Sequence, residues 1–289
     1  MKYAYIESLR CEHTITNMCK WLDVSRPGYY CWRNRLQGPR KERRVLVTRA
    51  VIEAFHQFNM RYGAPRIAVE LNESDIPCSL NHIAEIMREQ GLRARNGKRF
   101  KYQPSPEAMG HVADNLLARD FTAQRPNEKW VSDITYIQAG DNWVYLAVVM
   151  DLFSRQIIGW AMDDHMKVDL VLEAFNMAVA KREAQPGLIL HSDRGVQYRA
   201  WEYQEALESY EIQPSMSRKG NCWDNAAMES FFSRLKVELV YAEEYATLTE
   251  AYSSVFEYIE VFYNRVRRHS ANDYRSPYDY EQQFLAQCA

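Results

Sequence analysis

The sequence predicts an α/β domain with a five-stranded mixed sheet and helices, preceded by an all-α region. In the first 91 residues, apolar side chains recur at helical spacing, whereas from residue 130 onward short apolar runs have the character of strands. Residues 103–126, between the two patterns, contain three prolines and a glycine and show little periodicity. A chain of 289 residues is long enough for about two domains.

The composition is ordinary for a soluble globular protein, with 47% hydrophobic and 26% charged residues. No run reaches the roughly 20 apolar residues of a membrane span, and the first thirty residues lack the apolar core of a signal peptide. The six cysteines are scattered, and none forms a C-x-x-C pair. We therefore expect a cytoplasmic protein with reduced thiols and no membrane contact.

The net charge of −2 conceals two halves of opposite sign. Residues 1–120 contain 20 lysines and arginines against 13 acids, whereas residues 121–289 contain 16 against 25. A basic N-terminal half indicates a polyanionic partner.

The first 36 residues predict a compact helical unit with a turn near Asp23 and Ser25 capping the helix that follows. Its aromatic core is expected to contain Trp21, Tyr29, Tyr30 and Trp32. Two interpretations of this unit remain: it contacts DNA, or it is a plain helical hairpin with a structural role. The cation-rich stretch around Gly38 and Pro39 is expected to be a linker.

Residues 45–102 predict a helix-turn-helix-like DNA-binding domain of three helices. Pro65 suits the first turn of the second helix, Ser79 caps the third, and Gly91 is placed to end it. Because Glu85 and Glu89 lie on the third helix, a purely structural role remains the alternative to base reading. The segment after this helix has no acid up to residue 102, and its cations are the predicted phosphate contacts: Arg93, Arg95, Lys98, Arg99 and Lys101.

From residue 127 the pattern predicts strand, strand, strand, helix, strand, helix, strand, helix, which matches the ribonuclease-H-like order. We place this domain at 127–245, after a linker at 103–126 and before a C-terminal helical extension at 246–289. The fourth strand is wholly apolar, which favours a central position in the sheet. The predicted strands are 130–139, 143–151, 156–163, 188–191 and 212–216.

Three acids in this domain lie on elements that can bring their carboxylates to one metal site. Asp133 lies within the first strand, Asp193 follows the fourth strand, and Glu229 lies on the second turn of a helix expected to be capped by Asp224. Carboxylates from two strands and a helix suit two Mg²⁺ ions, which clamp the attacking and leaving oxygens of a phosphodiester. The alternatives are an edge-strand Asp133, a turn-forming Asp193 and a solvated Glu229.

The spacing and the surrounding sequence carry a family resemblance. Thirty-five residues separate Asp193 from Glu229, and Lys236 follows seven residues later. This resembles the D,D(35)E pattern of transposases and retroviral integrases. The segments HSDRGVQY, NCWDNAAMESFFSRLK and YNRVRRHSANDYRSPYDYE are similar to the second-frame (OrfB-type) product of bacterial IS-three-type insertion sequences.

The resemblance implies a DDE transposase, a polynucleotidyl transferase that cleaves DNA strands and transfers them into new DNA. It implies that Asp133, Asp193 and Glu229 are both the catalytic residues and the ligands of two Mg²⁺ ions, which Mn²⁺ can replace. Lys236 is then expected to meet a phosphate. Arg267 and Arg268 are expected either to contact phosphate or to complement the helix dipole.

The partners implied are double-stranded DNA, at the element's terminal inverted repeats and at the target, and further copies of the chain on that DNA. Fusion to, or action with, an upstream-frame product and association with the bacterial nucleoid are also implied. Two alternatives stay open: a ribonuclease-H-like nuclease that does not join strands, and a non-catalytic DNA-binding regulator of transposition.

Overall fold

The computed structural model describes residues 1–36, 38–95, 112–218 and 222–288. The chain divides into two compact units, Met1–Ala94 and Arg95–Ala289. Within the described residues, no helix combines the length and the apolar character that crossing a membrane requires.

The first unit opens with three short helices, α1 (Lys2–Ser8), α2 (Ile15–Trp21) and α3 (Arg26–Leu36). The Gly28 amide donates to the Ser25 hydroxyl at 3.1 Å, so Ser25 caps α3 as expected. The core is formed by Ile6, Met18, Cys19 and Tyr29.

Trp21, predicted to belong to this core, is instead 65% exposed. It ends α2 immediately before the turn at Asp23, where φ is +50°. Its ring packs edge-on against His13, with 5.4 Å between the ring centroids. The end of the helix therefore directs this side chain away from the core.

Three further helices complete the first unit: α4 (Pro39–Gln57), α5 (Ala64–Glu73) and α6 (Leu80–Glu89). The expected linker around Gly38 is wrong, because Gly38 is the N-cap of α4 and Pro39 occupies its first turn. Ser79 accepts a hydrogen bond from the His82 amide and caps α6, and Gly91 adopts the left-handed φ of +68°.

A five-stranded mixed sheet forms the centre of the second unit, as predicted. Its strands are β1 (Lys129–Ala139), β2 (Asn142–Asp151), β3 (Ile157–Asp163), β4 (Ile189–Ser192) and β5 (Gln213–Met216). The order across the sheet is β3-β2-β1-β4-β5, with β1–β2 and β2–β3 antiparallel and β1–β4 and β4–β5 parallel. The centre is therefore β1, and the apolar β4 is an interior strand beside it.

Helices α7 (Val168–Lys181) and α8 (Trp201–Ser209) lie between the strands in the chain and contribute to one hydrophobic core with the sheet. The approach of α7 to β3 requires a glycine at position 159, because a Cβ there would lie 2.1 Å from the Ala174 carbonyl oxygen. This core fixes the sheet on which the candidate site is built.

The helix that carries Glu229 begins later than expected. Cys222–Asn225 form a 3₁₀ turn, and α9 runs over Ala226–Glu238. The predicted C-terminal helical extension begins with α10 (Leu248–Phe256) and a π-helical segment, Glu257–Tyr263. Two 3₁₀ turns, Val240–Ala242 and Ser270–Asn272, and the last helix, α11 (Pro277–Cys288), complete the chain.

Part of the expected linker packs onto the sheet unit. The backbone amides of Leu116 and Leu117 both donate to the Ser215 hydroxyl on β5, at 2.9 and 3.2 Å. Leu117 is 2% exposed. Residues 112–117 therefore extend the structured part of this unit towards the N-terminus.

Candidate catalytic carboxylate site

The pairing of β1 with β4 brings two of the three predicted acids to the same level of the sheet. The strands are parallel, and Val131 lies opposite His191. Asp133 and Asp193 are each two residues further along, so both side chains leave the sheet on one face. Non-local pairing thus places two carboxylates that are 60 positions apart in the sequence side by side.

The ionisation of the Asp133 carboxyl group depends on burial, a hydrogen bond and neighbouring charges. One carboxylate oxygen accepts a hydrogen bond from the Ile134 amide at 2.8 Å. Burial raises the pKa of Asp133 well above its ordinary value, and the neighbouring charges of Asp193 and Glu229 raise it further. The Ile134 amide and the Lys236 ammonium group act in the opposite direction. The electrostatics therefore couple all three predicted acids and Lys236.

Asp193 is held by the turn that follows β4. Its Oδ1 accepts a hydrogen bond from the Gly195 amide at 2.8 Å. A Cβ at position 195 would lie 2.9 Å from that same oxygen, so a larger residue there would displace the carboxylate from this position. Burial raises the pKa of Asp193, while this hydrogen bond and the charge of Arg199 lower it.

Glu229 lies in the first turn of α9, where its side chain is exposed. The opposite face of the helix is buried, and partial desolvation raises the pKa of Glu229. The helix thus supplies a fixed backbone from which the longer glutamate side chain reaches towards the strand acids. The buried face consists of Met228, Phe231, Phe232, Leu235 and the following Leu239.

Lys236 lies two turns after Glu229 and is only 7% exposed. Its ammonium nitrogen is 4.6 Å from the centre of the Tyr136 ring on β1, a cation–π distance. Burial lowers the pKa of Lys236, and the negative charge of Asp133 raises it. Lys236 therefore lies near enough to Asp133 for the two charges to influence each other.

A second cluster of ligand-type side chains lies at the end of β3. Within the described ranges, the group of three whose ligand atoms all lie within 4.8 Å of one another is Asp163, Asp164 and His165. His165 Nδ1 is 2.7 Å from Asp163 and 2.9 Å from Asp164. Sequence reasoning missed this cluster, although the consecutive D-D-H was its signal. The carboxylates of Asp133, Asp193 and Glu229 are not drawn together as closely.

Contrary to expectation, Asp224 does not cap α9. It is fully buried and accepts hydrogen bonds from three side chains, those of Asn115, Arg119 and Arg218, and from the Arg218 amide. These contacts, led by the Arg218 side chain, hold the pKa of Asp224 well below its ordinary value. Asp224 instead links the 3₁₀ turn before α9 to residues that are distant in the sequence.

His191 is a packed core residue. It is 0% exposed, and its ring nitrogens lie 2.8 and 3.0 Å from the hydroxyl oxygens of Ser215 and Ser217. Burial lowers the pKa of His191 to about 4, so the imidazole is neutral at physiological pH.

The predicted phosphate contacts after α6 have different surroundings. Arg93 is exposed. Arg95 donates to the Glu238 carbonyl oxygen at 2.6 Å and is partly buried, so its guanidinium is engaged within the second unit. Lys98, Arg99 and Lys101 lie outside the described residues.

The position of Arg267 contradicts the expectation that this residue contacts phosphate. Its guanidinium is buried and donates to both carboxylate oxygens of Glu238. Two close hydrogen bonds to a buried acid leave no surface from which this side chain could reach DNA. Arg268 is half-buried and donates to the Tyr274 carbonyl oxygen at 3.3 Å.

Family models match most of the chain. A model described as "Integrase core domain" matches residues 123–222, and a second model with the same description matches residues 229–285. A model described as "HTH-like domain" matches residues 40–100. The two integrase-core matches together include Asp133, Asp193 and Glu229.

Curated relatives span almost the whole chain. The transposase InsF for insertion sequence IS3A of Escherichia coli is 42% identical over 290 residues, which cover 99% of this chain and 100% of the relative. The transposase for insertion sequence element IS904 of Lactococcus lactis is 40% identical over 249 residues, covering 86% and 98%.

Solved structures resemble the chain more distantly. The simian T-cell lymphotropic virus intasome, in complex with PP2A regulatory subunit B56 gamma, matches with a TM-score of 0.47 and 17% identity, over 79% of this chain and 73% of that one. The HTLV-2 integrase catalytic core domain in complex with magnesium matches with a TM-score of 0.43 and 18% identity, over 55% and 98%. The sequence relatives carry the family assignment.

Proposed function

Because this chain belongs to the transposases of IS3-type insertion sequences, we propose that Asp133, Asp193 and Glu229 form a DDE site. At this site DNA strands are cleaved and then joined to new DNA. The observation that carries the proposal is the coupling of the three acids: Asp193 and Glu229 both raise the pKa of the Asp133 carboxyl from separate structural elements. Neighbouring acids that disfavour one another's charge are typical of functional sites.

The donor set fits divalent metal ions, and we propose two Mg²⁺ ions, replaceable by Mn²⁺. All three side chains offer carboxylate oxygens, the ligands that these hard cations prefer. Bound cations would favour the ionised form of acids whose pKa values are raised without them. When bound, such ions supply Lewis-acid stabilisation of the oxygens that gain charge during phosphoryl transfer.

The chain's own residues position the substrate. The turn from Asp193 to Gly195 and the packing of α9 hold the acids on rigid elements. We propose that Lys236, beside Asp133 and against the Tyr136 ring, binds a phosphate oxygen next to the reacting phosphodiester. Arginine and lysine are both common phosphate ligands, and an ammonium group acts there as a point charge.

The proposed substrate is double-stranded DNA at the element's terminal inverted repeats and at the target. We assign DNA binding by the N-terminal part to residues 45–102, with phosphate contacts from Arg93, Lys98, Arg99 and Lys101. The basic balance of residues 1–120 and the match to an HTH-like model support this assignment. Assembly of several copies on DNA, cooperation with an upstream-frame product and action at the bacterial nucleoid belong to the same proposal.

The test is a cleavage and strand-transfer assay on labelled oligonucleotides that carry an element end, with Mg²⁺ or Mn²⁺. Asp133→Asn and Asp193→Asn should each abolish cleavage and joining while DNA binding persists. Asp163→Asn is the matched control, because it removes an acid from the separate Asp163–Asp164–His165 cluster and should leave the reaction intact. Loss of activity in Asp163→Asn with normal activity in Asp133→Asn would refute the proposed site.

The same assay separates the two alternatives. Cleavage without any joined product would indicate a nuclease with this fold. Binding of end DNA with no cleavage under either metal would indicate a non-catalytic regulator.

A further inference from the structure

A basic pocket lies on α9, apart from the carboxylate site. Its volume is about 290 Å³, and it is bounded by the first turns of α9, the turn between β2 and β3, and the segment around His269. The described side chains that line it include four basic ones and no acid: Arg155, Arg234, Arg267 and His269. Arg267 is neutralised by Glu238, which leaves two arginines as the main source of positive charge.

Arg155 is the most unusual of these residues. It adopts φ of +62°, a left-handed conformation that glycine or asparagine occupies more readily than arginine. Its NH2 group donates to the Phe121 carbonyl oxygen at 3.3 Å, a long bond, and it has no salt bridge to an acid among the described residues. Burial lowers the pKa of Arg155. A strained, partly buried and poorly neutralised cation is costly unless it serves a ligand.

The start of α9 adds to the positive potential. Ala226 and Ala227 line the pocket, and the N-cap residue Asn225 makes no side-chain capping bond. The first amides of a helix carry partial positive charge and bind anions. Ser230 and the exposed Arg234 follow on the same face, so residues of the first turns of α9, a serine and arginines line one volume.

We propose that this pocket binds one phosphate group of a DNA backbone at a distance from the reacting phosphodiester. The inference rests on the proposed function, which makes DNA the polyanion that this unit handles. Ser230 follows Glu229 directly and lies about 100° around the helix from it. A DNA strand that crosses α9 can therefore reach both the carboxylates and the pocket. The fork of an arginine side chain matches the geometry of phosphate oxygens.

The experiment measures the salt dependence of DNA binding by the full-length protein carrying Arg155→Asn and Arg234→Gln together. Asparagine tolerates the left-handed conformation, so the first substitution removes the charge without straining the turn. Loss of one phosphate contact lowers the slope of log affinity against log salt by about 1. Arg265→Gln is the matched control, because it removes an exposed arginine that stacks on Tyr278 outside the pocket, and its slope should equal the parent's.

Two duplexes distinguish the source of the phosphate. A lower slope with the element-end duplex alone shows that the pocket binds end DNA. A lower slope with an unrelated duplex alone shows that it binds target DNA. A lower slope with both duplexes shows that it binds the phosphate of either DNA. A parent-like slope with both duplexes overturns the proposal, even if inorganic phosphate protects the parent against thermal unfolding. The single variant Arg155→Lys, with Arg234 intact, keeps the positive charge and should show the parent's salt slope.

These outcomes are independent of the catalytic proposal. Glu229→Gln, assayed in parallel, should keep the parent's salt slope whether or not it cleaves. If the parent fails to cleave DNA but the pocket variants still lower the slope, the proposed function fails and the phosphate pocket stands. If the parent cleaves DNA and the pocket variants keep the parent's slope, the proposed function stands and the phosphate pocket fails.

Discussion

Arg267 donates hydrogen bonds of 2.8 and 2.7 Å to the two carboxylate oxygens of Glu238, and both side chains are 3% exposed. The Tyr258 hydroxyl donates to the same carboxylate at 3.0 Å. These bonds join the last residue of α9 to the π-helical segment and to the turn that follows it. The helix that carries Glu229 is thereby fixed at its C-terminal end by a buried ion pair.

We predict that Arg267→Met lowers the free energy of unfolding by about 3–5 kcal/mol, because it leaves the Glu238 carboxylate buried without its cation. The double variant Arg267→Met with Glu238→Leu should cost much less, since no uncompensated charge remains. Urea unfolding monitored by tryptophan fluorescence measures both. The control is Arg49→Met, which breaks an exposed i,i+4 pair with Glu53 and should change the free energy of unfolding far less. Equal costs for Arg49→Met and Arg267→Met would contradict the prediction.

We predict a pH-dependent contribution from Asp151, whose pKa burial raises from 3.8 to about 6. Between these values the folded protein holds a proton that the unfolded chain has lost, so this contribution falls as pH rises through the window and is constant above it. Two pKa units correspond to roughly 3 kcal/mol.

Asp151→Asn removes this titration. Relative to the parent, the variant should therefore gain roughly 3 kcal/mol in unfolding free energy between about pH 4 and pH 7, whatever its starting cost. That cost is expected, because the Asn127 and Phe153 amides each donate to a different Asp151 oxygen and asparagine offers only one. Urea unfolding at several pH values measures the difference. Asp141→Asn, at an exposed turn, is the control. A difference that does not vary with pH would rule out Asp151 as its source.

We predict that Glu229→Gln slows strand cleavage by about 100- to 1,000-fold, because a neutral amide is a weaker metal ligand and removes a charge from the site. Glu229→Asp keeps the charge but shortens the side chain by one methylene group, and it should lose nearly as much. Both variants should fold and bind DNA normally, since the buried face of α9 is unchanged. Cleavage within threefold of the parent in either variant would exclude Glu229 as the third carboxylate.

We predict that Lys236→Ala raises the DNA concentration needed for half-maximal cleavage while the Mg²⁺ requirement at saturating DNA stays the same. An ammonium group cannot ligate a cation, but it can contact a phosphate beside the carboxylates. Titrations of DNA and Mg²⁺ on parent and variant measure the two requirements. Since Lys236 also lies beside Asp133, an altered Mg²⁺ requirement would show that its main role is to hold the acids.

The order of the strands and helices in the second unit could be read from the sequence because those signals are local. Alternating and apolar runs mark β1 to β5, and the spacing of large apolar residues marks the buried face of α9. The parallel pairing of β1 with β4, which sets Asp133 beside Asp193, follows from the ribonuclease-H-like order that those elements predict. The three candidate acids were therefore accessible from sequence.

The roles of individual charged residues were not accessible in the same way. Arg267 stands in a run of cations that is equally compatible with solvent, phosphate or an ion pair, and only its packing against Glu238 decided among them. Asp224 precedes a helix as a capping residue would, yet Arg119 and Arg218 bind it from elsewhere in the chain. Arg155 carries no sequence signal as a ligand-binding residue at all.

The sequence by itself determined the kinds of element, their order and the acids they carry, because backbone periodicity and side-chain type act over a few residues. Tertiary structure decided which charges are buried, which are paired and which line a common pocket. Those outcomes depend on partners many positions away, such as Asn115 for Asp224 and Glu238 for Arg267. The electrostatic energy of a charge is set by its solvent exposure and its neighbours, and neither is encoded at its own position in the chain.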